Sequence, residues 1–325
     1  VGSEMCIRDR GLIKSSIRGD DLFILCDVGN YSCTYNYFGR ENSMSPDDHY
    51  QDLKRIIQAA GGKAHRINII MPSLYGGRQH RRNYRESLDC AVALQELQSM
   101  GVSNILTFDA HDPRVQNAVP LMGLDNIIPS YQVLKAMFKN LSDFRPDKDH
   151  FMIISPDEGA INRNMYYASV LGVNLGMFYK RRDYSTIIDG RNPIVAHEYM
   201  GNDVAGKDVF IADDIISSGE SMLDIAVELK KRKANKIYCY ATYPIFTNGL
   251  ESFNKAYADG IIDGVFGTNL TYRTPELLSS PWFYEVDCSK YIAYFIASLN
   301  HDKSISQVID PHTKIEALLK KYGIK

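Results

Sequence analysis

The stretch Val209–Ser221, VFIADDIISSGES, runs from a strand-like apolar segment into two adjacent carboxylates, a short Ser/Gly turn and the start of a helical pattern. A Ser/Gly turn between strand and helix aims several backbone N–H groups in one direction, and Gly219 permits close approach to the main chain. That is the physics of an anion nest for a phosphate. Asp213 and Asp214 would repel a bare phosphate, so their use lies with sugar hydroxyls or with Mg²⁺ held through water. The combination points to a phosphorylated polyol. A plain strand–helix turn capped by Ser218 accounts for the same residues, and the stretch alone does not separate the two.

Working outward, five more apolar runs end in acids, glycines or turn residues: 21–30, 66–77, 104–112, 151–160 and 175–183. Helical periodicity lies between many of them. Leu88, Ala91, Leu94, Leu97 and Met100 recur at three-residue steps in 86–101. In 221–234, Met222, Ile225, Ala226 and Leu229 make one apolar face, with a basic C-terminal end suited to the helix dipole. Strand–helix alternation with apolar strands predicts an α/β chain of doubly wound, mainly parallel sheets. In such sheets ligands bind beyond the carboxyl ends of the strands, which is where the unusual polar residues stand.

The polar stretch 139–150, with Pro146, predicts a boundary between an N-terminal domain over 11–145 and a C-terminal domain over 146–304. The apolar segment 280–299 reads as a strand and helix packed inside that second domain, and 305–325 as one amphipathic helical tail. The connection 30–55 is longer and more aromatic than a strand–helix link needs, and no chemical role follows from it.

Composition bounds the function classes. The chain has 325 residues, enough for two domains with their own cores. Hydrophobic residues make up 45% and charged residues 23%, the balance of a globular protein rather than a disordered one. A net charge of −2 gives no global field for nucleic acid or an anionic membrane, so neither is expected as a partner. The six cysteines lack C-x-x-C pairs and read as reduced thiols, which points to a cytoplasmic protein. No apolar run reaches the length of a membrane span. The first ten residues, VGSEMCIRDR, lack a signal-peptide core and read as foreign to the fold that follows.

Four further segments stand in a fixed order: GGRQHRRNYRES (76–87), TFDAHDPRVQNAVP (107–120), ISPDEGAINR (154–163) and YKRRD (179–183). With the Ser/Gly loop as a fifth, the set resembles the motifs of phosphoribosyl pyrophosphate synthetases (ribose-phosphate diphosphokinases) over roughly residues 17–300. The resemblance implies two phosphoribosyltransferase-like domains. It also implies transfer of the β,γ-diphosphoryl group of ATP to the C1 hydroxyl of ribose 5-phosphate, with Mg²⁺ as cofactor, ATP and ribose 5-phosphate as partners, and a homo-oligomer.

Residue by residue, it assigns Arg78, Gln79 and Arg85 to ATP, and His111 and Asp157 to the metal. Lys180 and Arg182 become the catalytic cations at the entrance to a closing loop over 183–197. Asp213, Asp214, Ser217, Ser218, Gly219, Glu220 and Ser221 become the ribose 5-phosphate cradle. From spacing alone His111 is equally a turn histidine bonded to Asp109 or Asp112, and the cluster of His80, Arg81, Arg82 and Arg85 equally a solvated face.

Several departures mark this chain. His80 stands where the family carries an acid. The family loop commonly reads Asp-Asp-x-x-Asp-Thr-x-x-Thr, and here Ser217, Ser218 and Ser221 replace its third acid and its threonines, with Glu220 added and expected to point outward. Nothing before 17–28 supplies the family's Phe-x-x-Gly-Glu segment, so the resemblance implies a shortened N-terminus and an incomplete nucleotide site. A phosphoribosyltransferase and a non-catalytic regulatory homologue of the synthetase remain the alternatives.

Overall fold

Each of the six apolar runs becomes a strand with at least one parallel neighbour. The computed structural model describes residues 10–82, 84–182 and 194–324, with the backbone alone at 180–182, 194–197 and 307. The chain forms two units, Val1–Pro129 with Leu270–Tyr272 and Ser289–Ile309, and Ser130–Asn269 with Arg273–Cys288 and Asp310–Lys325.

The first unit opens with β1 (Asp21–Leu25), a hairpin of β2 (Thr34–Tyr37) and β3 (Arg40–Ser43), and α1 (Pro46–Ala60). It continues through β4 (Arg66–Ile70), α2 (Asp89–Ser99), β5 (Asn104–Phe108) and β6 (Gly123–Ile127). Its sheet has the order β1-β4-β5-β6, parallel throughout. Helix α1 starts at a capping box in which Ser45 and Asp48 satisfy each other's backbone N–H, followed by Pro46 in the first turn. Its Tyr50, Leu53 and Ile57 join Ile67, Ile69 and Ile105 of the sheet in one core. In α2 the buried stripe is Cys90, Ala93, Leu94 and Leu97 rather than the three-step series, because 3.6 residues per turn carries a strict three-step pattern off the face. The long link 30–55 holds the hairpin, turned through Phe38 (φ 52°) and Gly39 (φ 71°), with Phe38 93% exposed. Positive φ at both residues is what a type I′ hairpin turn requires.

The second unit runs through α3 (Ser130–Asn140), β7 (Phe151–Ser155), α4 (Ile161–Leu171), β8 (Asn174–Arg182), β9 (Ile194–Met200), β10 (Asp208–Ile216) and α5 (Glu220–Lys231). It continues with β11 (Ile237–Pro244), α6 (Glu251–Ala258), β12 (Gly264–Thr268), α7 (Pro275–Ser279) and β13 (Phe283–Val286). The chain then supplies α8 (Ser289–Asn300) and α9 (Ser306–Ile309) to the first unit and ends with α10 (His312–Lys321) in the second. The second sheet has the order β13-β12-β11-β10-β7-β8-β9, parallel except for the final β8–β9 pair. One face packs Ile154, Val209, Ile211 and Cys239 against α5 and α6; on the other, Tyr167 of α4 meets Phe210 and Tyr240 edge-on. Both sheets are thus the mainly parallel α/β sheets that apolar strand runs predict; the second reverses its strand order between β7 and β10, as a doubly wound sheet does, while the described strands of the first run in one direction.

The division between units falls at Pro129/Ser130 rather than inside 139–150. Helix α3 stays with the second unit because Phe138 stacks on Tyr322 and meets Phe144 edge-on, and Phe144 meets Phe151 edge-on. Helix α8 departs from the expectation for 280–299: Tyr291 and Phe295 pack on Phe108 at the end of β5, closing the second face of the first sheet. The tail is two helices rather than one. Pro311 interrupts it, and Ile315, Leu318 and Leu319 of α10 are buried in the second unit. All five described cysteines are unpaired, and no described helix is long and apolar enough to cross a membrane.

Candidate active site

In the second sheet the chain moves outward from β7 to β8 on one side and outward from β10 through β13 on the other. The switch point is therefore between β7 and β10, where ligands bind in open α/β sheets. The β7–β10 ladder ends at Ile211↔Ile154, while β10 continues beside β11 to Ile216↔Pro244. Past the Ile211↔Ile154 pair β7 and β10 no longer pair, and two predicted segments flank this crevice position at the strand ends.

On the β7 side is the Asp157 turn. Ser155 Oγ donates to the Asp157 carbonyl at 2.8 Å, and the Ala160 N–H donates to Asp157 Oδ1 at 3.1 Å. On the β10 side, Asp214 is buried and its N–H donates to Asp213 Oδ1 at 2.9 Å. Arg163 of α4, its side chain 9% exposed, places Nη1 3.7 Å from the same oxygen. Burial raises the Asp213 carboxyl above its usual range, the charge of Asp214 adds to that and Asp157 contributes further, while Arg163 opposes it.

The turn after β10 differs in detail from a Ser-capped helix start. The N-cap is Gly219 (φ 80°, ψ −5°), which offers no side-chain oxygen, and Ser218 Oγ stands a long 3.5 Å from the Glu220 N–H. Ser218 is thus not the cap that its position predicts. Glycine at 219 has a second cause besides its φ: a Cβ there would sit 2.3 Å from the Phe253 ring. Glu220 and Ser221 are exposed, and Ser217 and Ser218 half-buried. The loop after β11 lies alongside. Thr247 N–H donates to the Ser217 carbonyl at 3.0 Å, and the two hydroxyls are 3.4 Å apart. Phe246, preceding it, is in the left-handed region at φ 50°. Sequence reading gave Thr247 no role. Lys180 and Arg182 end β8, whose partner β9 takes up residues 194–197 of the expected loop. Their side chains, and residues 183–193 of that loop, lie outside the described residues.

In the first unit, segment 76–87 leaves β4 as a series of turns, Gly77 N–H to Leu74 O at 2.9 Å and Gln79 N–H to Gly76 O at 2.7 Å. Arg78, Arg81, Arg82 and Arg85 are exposed. Gln79 turns inward on its own loop, its amide donating to the Ser87 carbonyl at 2.8 Å. At the end of β5, Asp109 is buried with φ 42°, and Ala110 N–H donates to Asn126 Oδ1. His111 follows, exposed, its ring 5.4 Å from that of His80. Asp112 takes Arg114 at 2.5 Å and His80 Nε2 at 3.3 Å, and the Arg114 hydrogen bond brings its carboxyl down to about 2. Burial lowers the His80 pKa against the pull of Asp112. His80, which replaces the family acid, is therefore part of the wall beside His111.

His111 belongs to the first unit and Asp157 to the second. Among the described residues no group of three or more His, Cys, Asp or Glu side chains is arranged to hold a metal by itself. A Mg²⁺ ion that keeps most of its water and takes phosphate oxygens needs few protein ligands. The carboxylates of Asp214 and Asp157, which both act on Asp213, make the surroundings of that residue acidic, a chemistry that suits a hard, hydrated cation.

A sequence model of the N-terminal domain of ribose phosphate pyrophosphokinase matches residues 10–101, and one of the phosphoribosyl transferase domain matches 124–260. The ribose-phosphate pyrophosphokinase of Shewanella oneidensis is 28% identical over 300 residues, spanning 90% of this chain and 85% of the relative. That of Vibrio cholerae is 26% identical over 304 residues, spanning 92% and 86%. The crystal structure of phosphoribosylpyrophosphate synthetase from Mycobacterium smegmatis matches with a TM-score of 0.71 at 20% identity over 90% of this chain and 86% of that one, a likeness of fold. Taken with the ordered motifs and the crevice at the β7/β10 switch point, these matches show that the chain belongs to the ribose-phosphate pyrophosphokinase (phosphoribosyl pyrophosphate synthetase) family.

Proposed function

We propose that the chain transfers the β,γ-diphosphoryl group of ATP to the C1 hydroxyl of ribose 5-phosphate, giving phosphoribosyl pyrophosphate and AMP. The observation that carries this reading is the acid pair and Ser/Gly turn at the switch point of the second sheet. The C1 oxygen bonds to Pβ as Pβ parts from the bridging oxygen, which leaves with AMP, and the hydroxyl proton is lost. Such a transfer depends on positioning and on neutralising phosphate charge.

In this reading residues 217–221 wrap the 5-phosphate with hydroxyls and backbone N–H groups. Asp213 and Asp214 accept hydrogen bonds from the ribose hydroxyls, and burial behind them excludes competing water. Lys180 and Arg182 supply cations to the transferring oxygens. Arg78 and Arg85 grip the nucleotide phosphates, and Gln79 holds their loop through Ser87. His111 in the first unit and Asp157 in the second are the residues that would each offer a ligand to Mg²⁺, whose charge would neutralise polyphosphate oxygens.

Calorimetric titration of the full chain tests the acceptor site. Ribose 5-phosphate should bind and free ribose should not, and Asp213→Ala should abolish binding. Equal binding of ribose and ribose 5-phosphate, or none of either, would remove the assignment. The match of residues 124–260 to a phosphoribosyl transferase domain supports a second reading, in which phosphoribosyl pyrophosphate is consumed. Its mark would be binding of the diphosphorylated sugar with no AMP formed from ATP.

A further inference from the structure

Where the β7–β10 ladder stops, Ala212 still presents a backbone N–H and a C=O toward the side that β7 no longer pairs. Both groups are buried, and a buried peptide group left without partners costs about 1–3 kcal/mol. They are taken by a side chain from α4. Asn164, fully buried, accepts the Ala212 N–H at Oδ1 (3.3 Å) and donates from Nδ2 to the Ala212 carbonyl (2.8 Å). A carboxamide has the same donor–acceptor pair as a peptide group, so it replaces one residue of the absent strand.

The same Nδ2 reaches the Ala160 carbonyl at 2.9 Å and, at 3.4 Å, the Ser155 hydroxyl. That hydroxyl in turn donates to the Asp157 carbonyl, and the Ala160 N–H holds Asp157 Oδ1. One amide thereby links the Asp157 turn to the residue immediately before Asp213. Its neighbour Arg163 faces Asp213 itself. Consecutive residues of α4 thus read β10 twice, one at the acid and one at the backbone that aims it.

We propose that Asn164 is a positioning residue of the acceptor site, fixing the register of the Asp157 turn against the Asp213–Asp214 pair across the crevice. The inference rests on reading the second unit as the ribose 5-phosphate site. Asn164 does not touch the reacting atoms. It keeps the crevice open at a set width, because its side chain joins two strand ends that would otherwise collapse or splay.

The test compares Asn164→Ala and Asn164→Asp with Leu171→Ala, a buried change on the same face of α4. Asn164→Asp keeps the acceptor for Ala212 and turns the donor into an oxygen facing two carbonyls, so it serves if the alanine variant does not fold. Ribose 5-phosphate affinity, ATP affinity, thermal stability and amide hydrogen exchange are measured on the full chain. Each Asn164 variant should bind ribose 5-phosphate about tenfold more weakly or worse, with ATP affinity unchanged and faster exchange at residues 212–214. Leu171→Ala should lower the melting temperature at least as far and leave sugar-phosphate affinity at the wild-type value. Wild-type affinity in a folded Asn164 variant, unchanged exchange at 212–214, or equal loss in Leu171→Ala would each overturn the proposal. Failure of the unmodified chain to bind ribose 5-phosphate is a different result, and it would sink the acceptor-site reading itself.

Discussion

Asp213 and Asp214 lie near the end of a strand buried on both faces, with Asn164 bracing its backbone and Phe253 closing the turn behind it. Arg78 and Arg85 leave an exposed series of turns in which the Gln79 amide is tied back to the loop at the Ser87 carbonyl. The first arrangement fixes short side chains within a rigid frame. The second presents long, flexible cations that meet a polyanion by charge. A rigid frame should report substitutions as losses of both stability and sugar-phosphate affinity, and an exposed cationic loop as losses of nucleotide affinity alone.

The largest effect should come from Lys180→Ala at the end of β8. As the proposed cation on the transferring group, its loss should lower kcat by about 10²–10³ while ribose 5-phosphate affinity is unchanged, measured by steady-state kinetics beside calorimetry. Next is Gly219→Ala, which forces a Cβ into the left-handed region and against the Phe253 ring. It should destabilise the second unit by roughly 1–3 kcal/mol in urea unfolding and weaken sugar-phosphate binding with it. A neutral result would mean that the turn is softer than its packing implies. Arg78→Ala and Arg85→Ala should each raise KM for ATP about tenfold, since hydrogen bonds to charged groups are worth a few kcal/mol at most. Their unfolding free energies should stay within about 0.5 kcal/mol of wild type, as for other surface changes. A stability loss comparable to that of Gly219→Ala would erase the contrast between the two regions.

The smallest effect concerns the frame of the first unit. Asp21 and Arg66 are register partners of β1 and β4, and Arg66 beside Asp21 holds that carboxyl below its ordinary value of 3.8. A depressed folded-state pKa adds stability that is complete above the unfolded value and is lost as pH falls through the folded one. Asp21→Asn should therefore lower the melting temperature at neutral pH, and the gap should close as pH drops below 3.8. A gap that persists at lower pH would show the loss to be packing rather than charge.

Much of this frame was legible in the residues. The stripe Met222, Ile225, Ala226 and Leu229 is the buried face of α5, and every acid-ended apolar run is a strand. Both follow from periodicity, which burial enforces directly. Residues 139–150 misled as a boundary because a polar loop marks a turn, and α3 before it still has its apolar face of Val133, Leu134 and Met137 to cover. Helix α8 meets the first sheet instead of the second because an apolar face does not say which sheet it will meet. The hairpin at 34–43 was missed because its strands are short and mostly exposed, with no alternation to read.

Within the candidate site, Asp213 and Asp214 stood out because acids rarely end an apolar run without a use. Thr247 and Arg163 carried no such mark. Asn164 does carry one. It shares the spacing of Tyr167, Ala168 and Leu171, the buried stripe of α4, and a lone amide on an apolar stripe is a buried polar group in search of partners.

The most direct test of the central claim is phosphorus NMR of the full chain with ATP, ribose 5-phosphate and Mg²⁺. AMP appearing together with a sugar-linked diphosphate, and neither appearing with Lys180→Ala, is the predicted result. ADP with a singly phosphorylated C1, or no turnover of ATP by the folded chain, would contradict it.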